Sequence, residues 1–296
     1  MHPAIIHSTL HLPPSYVEAL YPLMDCVPDP CLGVSFHNQL RLLVKAEWPD
    51  YVRLGREIHE LLASGPGAVV VRYFPKNLDE RLRDFVYLSL ALYVGIPMTH
   101  DEERVIWEIS KRFHECVVPT YSETDEEAPL HTDGAYKERP PQVIGNLVVH
   151  RADEGGEMFF ADSEDICRDL KKTSDGRQCL QLLQQSFPIR LPSSYVENDK
   201  ARWIEAVPLS LDPVRVRFRP DVILKGLEMI GEPETSDRTR AVRYFGDYLK
   251  TADRFQLGPE EGVLLFLDNR RILHGRRAFT GPRHLRRIWI NCFDNG

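Results

Sequence analysis

The sequence has no apolar run long enough to cross a membrane, no excess of positive charge and no paired cysteine motif. A membrane-spanning helix needs about 20 consecutive apolar residues. A nucleic-acid partner would require a basic face, whereas the formal net charge is −7. The six cysteines contain no CxxC pair, which argues against structural zinc and against disulfides. The first residues also lack the basic and apolar regions of a signal peptide. We therefore expect a cytoplasmic protein that binds neither membranes nor nucleic acid.

The composition, 43% hydrophobic and 27% charged, is typical of a globular protein, and 296 residues suffice for a substantial core. No internal repeat or low-complexity segment divides the chain, so we predict a single domain over residues 1–296. In its first part, 1–104, apolar residues at helical spacing predict helices at 49–63 and 78–93, with a strand at 68–74 between them.

From residue 105 onward, short β-rich segments separated by turn residues replace the helical pattern, which is typical of a sandwich or barrel. The predicted strands are 105–109, 116–122, 143–150, 158–161, 187–191, 204–207, 214–218, 263–267 and 286–293. Their number predicts a mainly β fold, with a double-sheet jelly roll (double-stranded β-helix) at 105–296 and the N-terminal α/β layer against it. Two helical insertions, at about 163–185 and 235–252, interrupt the jelly roll.

The chain is organised around a His-x-Asp pair, His131 and Asp133, in a segment that we expect to be extended. Residues two apart on an extended segment point to the same side, so the imidazole and the carboxylate can bind one metal ion. His274, which follows the apolar run 262–267, is the candidate for the third ligand. Two histidines and one carboxylate suit non-haem Fe(II), because three adjacent coordination positions stay open for a chelating co-substrate and dioxygen. A His-x-Asp pair alone is a weak signal that also occurs in surface turns, so its context decides.

Four motifs provide that context, and they follow one another along the chain. They are His131-Thr132-Asp133-Gly134, Gly155-Gly156-Glu157 with Asp162 after it, Leu267-Asp268-Asn269-Arg270-Arg271-x-Leu273-His274-Gly275-Arg276, and Arg283-x-x-x-Arg287. With these motifs, residues from about 105 to 296 resemble the TauD/clavaminate-synthase-like branch of the Fe(II)/2-oxoglutarate-dependent oxygenases. The resemblance implies a jelly-roll enzyme that holds Fe(II) with His131, Asp133 and His274. It also implies that 2-oxoglutarate and O2 are consumed and that succinate and carbon dioxide are released.

The resemblance assigns the co-substrate to two arginines, Arg283 and Arg287. Because 2-oxoglutarate chelates iron through its oxo and C1-carboxylate oxygens, its far carboxylate needs a fixed cation, and an arginine fork donates two charge-assisted hydrogen bonds. In the family the first arginine, here Arg283, makes the main contact; the interval from His274 is shorter than usual, which leaves Arg287 as the alternative. Relatives carry a threonine that bonds 2-oxoglutarate where this chain has Met158. That hydrogen bond, about 0.5–1.5 kcal/mol, is lost or comes from another group.

The substrate is indicated by charged residues on both sides of the metal pair. Glu123 belongs to an acidic run just before His131, which would attract an amine or guanidine unless it is a solvated loop. Arg217 and Arg219 alternate along a strand that resembles the family's substrate-facing strand, so they could bind a carboxylate or lie in water. We therefore predict a small amino acid or an amino-acid-derived metabolite, as in secondary metabolism.

The carboxylate of Asp133 also bears on the reaction type. In the halogenating relatives a small residue stands at this position, so hydroxylation of an unactivated C–H bond is the expected reaction here. Desaturation and ring closure at the same site stay open. Two other classes also stay open: a metal-dependent hydrolase with zinc at the same ligands, which the paired arginines argue against, and a non-catalytic jelly roll that binds a small acid.

Overall fold

The structure is a computed structural model that describes residues 2–7, 12–72, 74–75, 77–100, 103–110, 121–192 and 202–293. The described helices are α1 (Pro14–Cys26), α2 (His37–Glu47), α3 (Pro49–Ser64), α4 (Glu80–Val94), α5 (Ser163–Leu170), α6 (Ser174–Leu183), α7 (Pro220–Met229) and α8 (Asp237–Thr251). The described strands are β1 (Ala4–His7), β2 (Ala68–Arg72), β3 (Ile96–Pro97), β4 (Ile106–Ile109), β5 (Ala128–His131), β6 (Val143–His150), β7 (Glu154–Gly155), β8 (Met158–Asp162), β9 (Phe187–Arg190), β10 (Trp203–Ala206), β11 (Leu209–Leu211), β12 (Val214–Val216), β13 (Phe255–Leu257), β14 (Leu264–Asp268), β15 (Ile272–Arg276), β16 (Phe279–Thr280) and β17 (His284–Asn291).

Two sheets face each other and form the jelly roll. The larger sheet has the strand order β1-β2-β14-β6-β17-β3, with β4 also paired to β17, and the smaller sheet has the order β13-β8-β15-β5. The pair β1–β2 is parallel, and the other pairs of these two sheets are antiparallel. The predicted fold class, a mainly β jelly roll with flanking helices, is confirmed.

Alternating side chains of the larger sheet enter two different apolar cores. Val69 and Val71 of β2 face the helices α1 to α4, whereas Ala68 and Val70 face the smaller sheet. Because such strands are buried on both faces, they read in the sequence as uninterrupted apolar runs. A further core lies between the outer face of the smaller sheet and the helices α5 to α8. The space between the two sheets is therefore enclosed by apolar layers on both sides.

Strand β17 alternates in the same way, but with charged residues. Leu285 and Arg287 line the space between the sheets. Arg286 points to the opposite side, where its Nε lies 3.3 Å from Asp84 Oδ1 of α4 and its guanidinium also pairs with Glu80. The strand thus has two different faces, and one of them delivers an arginine to the interior.

Local sequence signals explain most helix ends. The Asp79 carboxylate accepts a hydrogen bond from the Leu82 N–H at the start of α4, and Gly95 follows the end of that helix. The predicted insertion at 163–185 is two helices rather than one, because the Thr173 hydroxyl caps a new helix, α6. The predicted insertion at 235–252 is α8, capped by Ser236. No helix in the described ranges is both long and apolar enough to span a membrane.

Some elements escaped the sequence-based prediction. Helix α7 begins at a proline directly after a predicted strand, and β5 and β15 are only four and five residues long. The predicted strand 116–122 lies mostly outside the described residues, and its last two residues form the start of a 3-10 turn, Tyr121–Glu123. The two short strands matter most, since they carry the histidines predicted to bind metal.

Candidate active site

The histidines His131 and His274 face each other across neighbouring strands. His131 is the last residue of β5 and pairs in register with His274 of β15, and their ring centroids are 4.6 Å apart. The Nδ1 of His131 lies 2.7 Å from the Pro129 carbonyl oxygen. Since only an N–H can bond to a carbonyl, Nδ1 is the donor, and the lone pair of Nε2 is available to a metal.

Asp133 lies just beyond β5 in a loop held by side-chain contacts. The Asn269 side chain accepts a hydrogen bond from the Asp133 N–H at 2.8 Å and donates to the carbonyl oxygens of Asp133 and Pro141 at 3.0 and 2.8 Å. Thr132 is bonded in both directions to the Phe218 backbone, each at 2.9 Å. These contacts fix the backbone on both sides of the carboxylate.

The three predicted ligands converge. Asp133 Oδ1 lies 3.5 Å from His131 Nε2 and 3.4 Å from His274 Nε2, and one donor atom from each residue lies within 4.8 Å of the others. All three side chains are buried. Both nitrogens of His274 lack a hydrogen-bond partner among the described residues, and burial lowers the pKa of His274. A neutral, buried imidazole without partners next to a carboxylate fits a divalent metal ion, and this donor set suits Fe(II).

The second oxygen of Asp133 is held by two further donors. Arg287 Nη1 lies 2.8 Å and Trp289 Nε1 3.1 Å from Asp133 Oδ2, while Arg287 Nε donates to Asn146 Oδ1 at 2.9 Å. Burial alone would raise the pKa of Asp133, but the Arg287 guanidinium and the two neighbouring histidines together outweigh burial and hold that pKa well below its usual range. Asp133 is therefore ionised and oriented, with Oδ1 left for the metal.

A cavity opens beside the two histidines, between the sheets. The empty space between its walls is about 510 Å³, part of it open to solvent. Its walls include the predicted co-substrate residues Met158, Arg283 and Arg287, together with Tyr121 and Arg276. The cavity thus holds three guanidinium groups within reach of one metal site.

Among the described residues, the Arg283 guanidinium has fewer hydrogen-bond partners than those of Arg276 and Arg287. The side chain of Arg283 is buried, its Nε has no hydrogen-bond partner in the part of the chain that the structure describes, and its guanidinium lies 5.5 Å from the centre of the Phe279 ring. Burial, together with the positive charges of Arg276 and Arg287, lowers the pKa of Arg283 to about 9. Such a group is suited to receive an anion.

The predicted substrate residues lie in different environments. Arg217 donates from Nε to the Ala135 carbonyl at 2.7 Å and from its Nη2 to the Lys137 carbonyl, beneath the loop that follows Asp133. Arg219 forms a two-point ion pair with Asp221, at 3.1 Å from Nε and 2.5 Å from Nη2. Glu123 closes the 3-10 turn whose first two residues line the cavity.

The Arg219–Asp221 pair lies close to the metal ligands. Burial opposes both charges, but their mutual attraction outweighs it, so the pKa of Arg219 is raised and that of Asp221 is lowered. The charges of Asp133 and His131 reach this pair and add to the two shifts. The Arg219 guanidinium also lies 4.7 Å from the centre of the Tyr121 ring. Burial and the carboxylate of Asp221 raise the pKa of Tyr121 to about 12.

Sequence reasoning missed several residues of the site: Tyr121, Asn146, Asn269, Arg276 and Trp289. A signal existed for three of them. Trp289 shares a face of β17 with Arg287, and Asn269 and Arg276 both stand within the motif that contains His274. For the others nothing in the local pattern distinguishes an inward from an outward side chain.

Comparisons with known proteins identify the family of the chain. The sequence profile of the family described as "Taurine catabolism dioxygenase TauD, TfdA family" matches residues 41–289. No curated protein sequence gives a significant match. Among solved structures, asparagine oxygenase in complex with Fe(II), 2S,3S-3-hydroxyasparagine and succinate is similar, with a TM-score of 0.72 and 19% identity over 97% of this chain and 93% of that chain.

A second similar structure is the non-heme iron oxygenase OrfP in complex with Fe and alpha-ketoglutaric acid. Its TM-score is 0.68 at 16% identity, over 98% of this chain and 94% of that chain. OrfP in complex with Fe, succinate and (3R,4R)-dihydroxy-L-Arg gives the same TM-score, identity and coverage. At these identities the likeness establishes the fold, while the profile match covers most of the chain and establishes the family. The chain therefore belongs to the TauD/TfdA family and is an Fe(II)- and 2-oxoglutarate-dependent dioxygenase.

Proposed function

We propose that this dioxygenase hydroxylates an unactivated C–H bond of a small amino acid or amino-acid-derived metabolite, with His131, Asp133 and His274 as the iron ligands. The observation that carries the proposal is the convergence of these three buried donors, with both nitrogens of His274 unpaired among the described residues. When bound, iron with 2-oxoglutarate activates dioxygen: one oxygen atom enters the substrate, and the other enters succinate as carbon dioxide leaves. The residues of this chain hold the metal, orient its carboxylate ligand and bind the two organic molecules.

Arg283 binds the far carboxylate of 2-oxoglutarate in this proposal. Its support is the buried guanidinium with an unpaired Nε in the cavity wall. Arg287, the other predicted contact, shares that wall but already donates to Asp133 and Asn146. We propose that Arg287 mainly orients Asp133 and adds positive charge near Arg283. Met158 contributes an apolar wall without a donor.

The substrate is a molecule with both a carboxylate and a cationic nitrogen. Support comes from the Arg219–Asp221 pair, which presents both signs of charge near His131, with Asp221 the more exposed of the two at 39% against 13%. Opposite charges at fixed positions orient a zwitterion, and orientation decides which C–H bond is oxidised. Arg217 and Glu123 stay predictions as substrate contacts, and Arg217 is already engaged with two carbonyls. The similar structures named above contain hydroxylated asparagine and arginine, which favours hydroxylation over desaturation or ring closure.

We propose a cytoplasmic location for this reaction, because the cysteines are scattered without CxxC pairs, as is typical of proteins whose thiols stay reduced.

The metal assignment is tested by the variants His131→Ala, Asp133→Ala and His274→Ala. Each should bind iron more weakly than wild type while it remains folded, because it offers two protein ligands instead of three. His150→Ala is the matched control, since this histidine is 54% exposed and lies outside the cavity lining. Full iron content and full activity in all three ligand variants would show that the assignment is wrong.

The reaction class is tested by anaerobic titration with Fe(II) and then 2-oxoglutarate, which should produce the weak visible charge-transfer band of the chelate. Free amino acids and related amines are then screened for substrate-stimulated succinate formation. Stimulation only by neutral or purely anionic compounds would refute the charge argument and leave the oxygenase assignment intact. Turnover without oxygen and without 2-oxoglutarate would instead favour a hydrolase.

A further inference from the structure

Arg276 occupies a position between the metal strand and the turn that covers the cavity. It lies on β15 two residues after His274, and both side chains line the cavity. Its guanidinium is buried, yet it donates hydrogen bonds to backbone carbonyl oxygens: Arg277 at 3.0 Å, Tyr121 at 3.2 Å and Thr124 at 2.9 Å. A buried guanidinium that donates its hydrogen bonds to backbone carbonyl oxygens fixes the position of that backbone.

The carbonyls of Tyr121 and Thr124 lie at the two ends of the 3-10 turn Tyr121–Glu123. One guanidinium therefore bridges the first residue of the turn and the residue after it. A second backbone contact, from the Phe279 N–H to the Asp125 carbonyl at 3.0 Å, holds the chain just past the turn. Because 3-10 turns of this length contain few internal hydrogen bonds, their position depends on such external donors.

The turn places Tyr121 between the metal site and the charged pair. The centre of the Tyr121 ring is 5.3 Å from the centre of the His131 ring. The Arg219 guanidinium lies 4.7 Å from the centre of the same tyrosine ring. At the opposite end, Arg276 and Arg283 both lie against the Phe279 ring, at 4.6 and 5.5 Å. Contacts thus run without interruption from Arg283 through Phe279 and Arg276 to Tyr121.

We propose that Arg276 is a positioning residue that fixes the Tyr121–Glu123 turn, so that the Tyr121 ring forms a wall of the substrate pocket beside His131 and Arg219. This proposal deepens the proposed function and, for its kinetic part, rests on it. The reacting molecules do not touch Arg276 itself; it acts through the turn.

The first test needs no metal, co-substrate or activity. Hydrogen–deuterium exchange is measured on the purified chain and on Arg276→Met and Arg276→Lys, with peptides that cover 121–128. We expect exchange in this segment to rise about ten-fold in Arg276→Met, the effect of losing one charge-assisted hydrogen bond, and less in Arg276→Lys, which keeps one donor. Peptides from β6 and β14 should be unchanged. Unchanged exchange at 121–128 in both variants would overturn the proposal.

The matched control is Arg277→Met. Arg277 is the next residue and pairs with Glu127 of the same loop at 3.3 Å, but it does so from the outside, with a 47% exposed side chain. An exposed pair of this kind contributes little, so Arg277→Met should leave exchange at 121–128 as in wild type. An equal rise in Arg277→Met and Arg276→Met would overturn the specific role of Arg276.

The kinetic test uses the substrate found by the amino-acid screen. Arg276→Lys and Tyr121→Leu should raise the substrate KM about ten-fold and raise the succinate formed per substrate oxidised, while equilibrium binding of 2-oxoglutarate, followed by calorimetry, changes less than three-fold. In Tyr121→Leu the guanidinium of Arg276 is untouched, so the variant keeps the proposal testable even if Arg276→Met does not fold. An unchanged KM and an unchanged succinate ratio in both variants would overturn it. If wild type makes no succinate at all, the proposed function fails, and the exchange experiment still decides the role of Arg276.

Discussion

Replacement of Arg283 by methionine should have two opposite effects, which makes it a sharp test of the site. Arg283 is buried, 8% exposed, with an Nε that has no partner in the described ranges and two other guanidinium groups nearby. A buried polar group without a partner costs about 1–3 kcal/mol. Methionine has a similar length and no charge, so Arg283→Met should raise the free energy of unfolding of the ligand-free protein by about 1 kcal/mol or more.

The same change should nearly abolish the stabilisation by 2-oxoglutarate. Loss of a charge-assisted contact costs about 1.5–3 kcal/mol, which corresponds to a Kd roughly ten- to one-hundred-fold higher. At a 2-oxoglutarate concentration of about 100 Kd, wild type gains about 2.7 kcal/mol from binding. With a Kd about one hundred times higher, the variant gains only about 0.4 kcal/mol at that concentration.

The assay is chemical denaturation with and without 2-oxoglutarate, in the presence of Mn(II) so that no turnover occurs. Wild type and variant should change order: the variant is the more stable protein without ligand and the less stable one with it. Arg254→Met is the control, because Arg254 also lies over an aromatic ring, Phe159 at 4.9 Å, but is absent from the cavity lining. A ligand-free variant less stable than wild type, or an unchanged response to 2-oxoglutarate, would refute the reasoning.

Two further predictions concern the support of Asp133. Arg287→Met removes the largest of the contacts that lower the pKa of Asp133, so that pKa should rise and iron affinity should fall about 10–100-fold. The loss should be larger at low pH, because protons compete better with iron for the variant carboxylate than for that of wild type. Iron binding measured at pH 6 and pH 8 checks this, and an equal loss at both would contradict the electrostatic role. Asn269→Ala removes three hydrogen bonds around the Asp133 backbone, so iron affinity and the midpoint of thermal unfolding should both fall. The control Gln184→Ala, at an exposed residue that loses one hydrogen bond to Leu180, should change neither. An Asn269→Ala protein with wild-type iron affinity would show that the loop is fixed by other contacts.

The sequence allowed the jelly roll and the three candidate metal ligands to be predicted for different reasons. The roll follows from short β-rich segments such as β6 and β14, which are buried on both faces and were predicted within one residue of their ends. The candidate ligands follow from residue type and motif order. Their strands, β5 and β15, were not predicted as strands, because each is short and contains residues unusual in sheets, Pro129 and Gly275. Their pairing depends on the closed sheet and is not visible in either segment alone.

Side-chain destinations were harder to predict than strand faces. Arg217 and Arg219 have the same alternation, yet the first is bound to carbonyls of the loop at 135–137 and the second to Asp221 at the start of α7. A guanidinium can bind a ligand, a loop or a neighbouring acid equally well, so the choice depends on groups far away in the sequence. For the same reason Tyr121 and Arg276 were not recognised as a pair, since 155 residues separate them.

The two-faced strand β17 sets a limit on how this protein can vary in evolution. Arg287 serves the metal site from one face, while its neighbour Arg286 pairs with Asp84 and Glu80 on the other. A deletion of one residue inside this strand would exchange the faces, sending one cation away from Asp133 and another away from Asp84 at once. A substitution in β17 alters one of these contacts at a time. A change in the length of the strand disrupts the contact with Asp133 and the contact with Asp84 together. Lineages of this enzyme should therefore tolerate insertions and deletions in the turns at either end of β17 and keep the length of the strand itself constant.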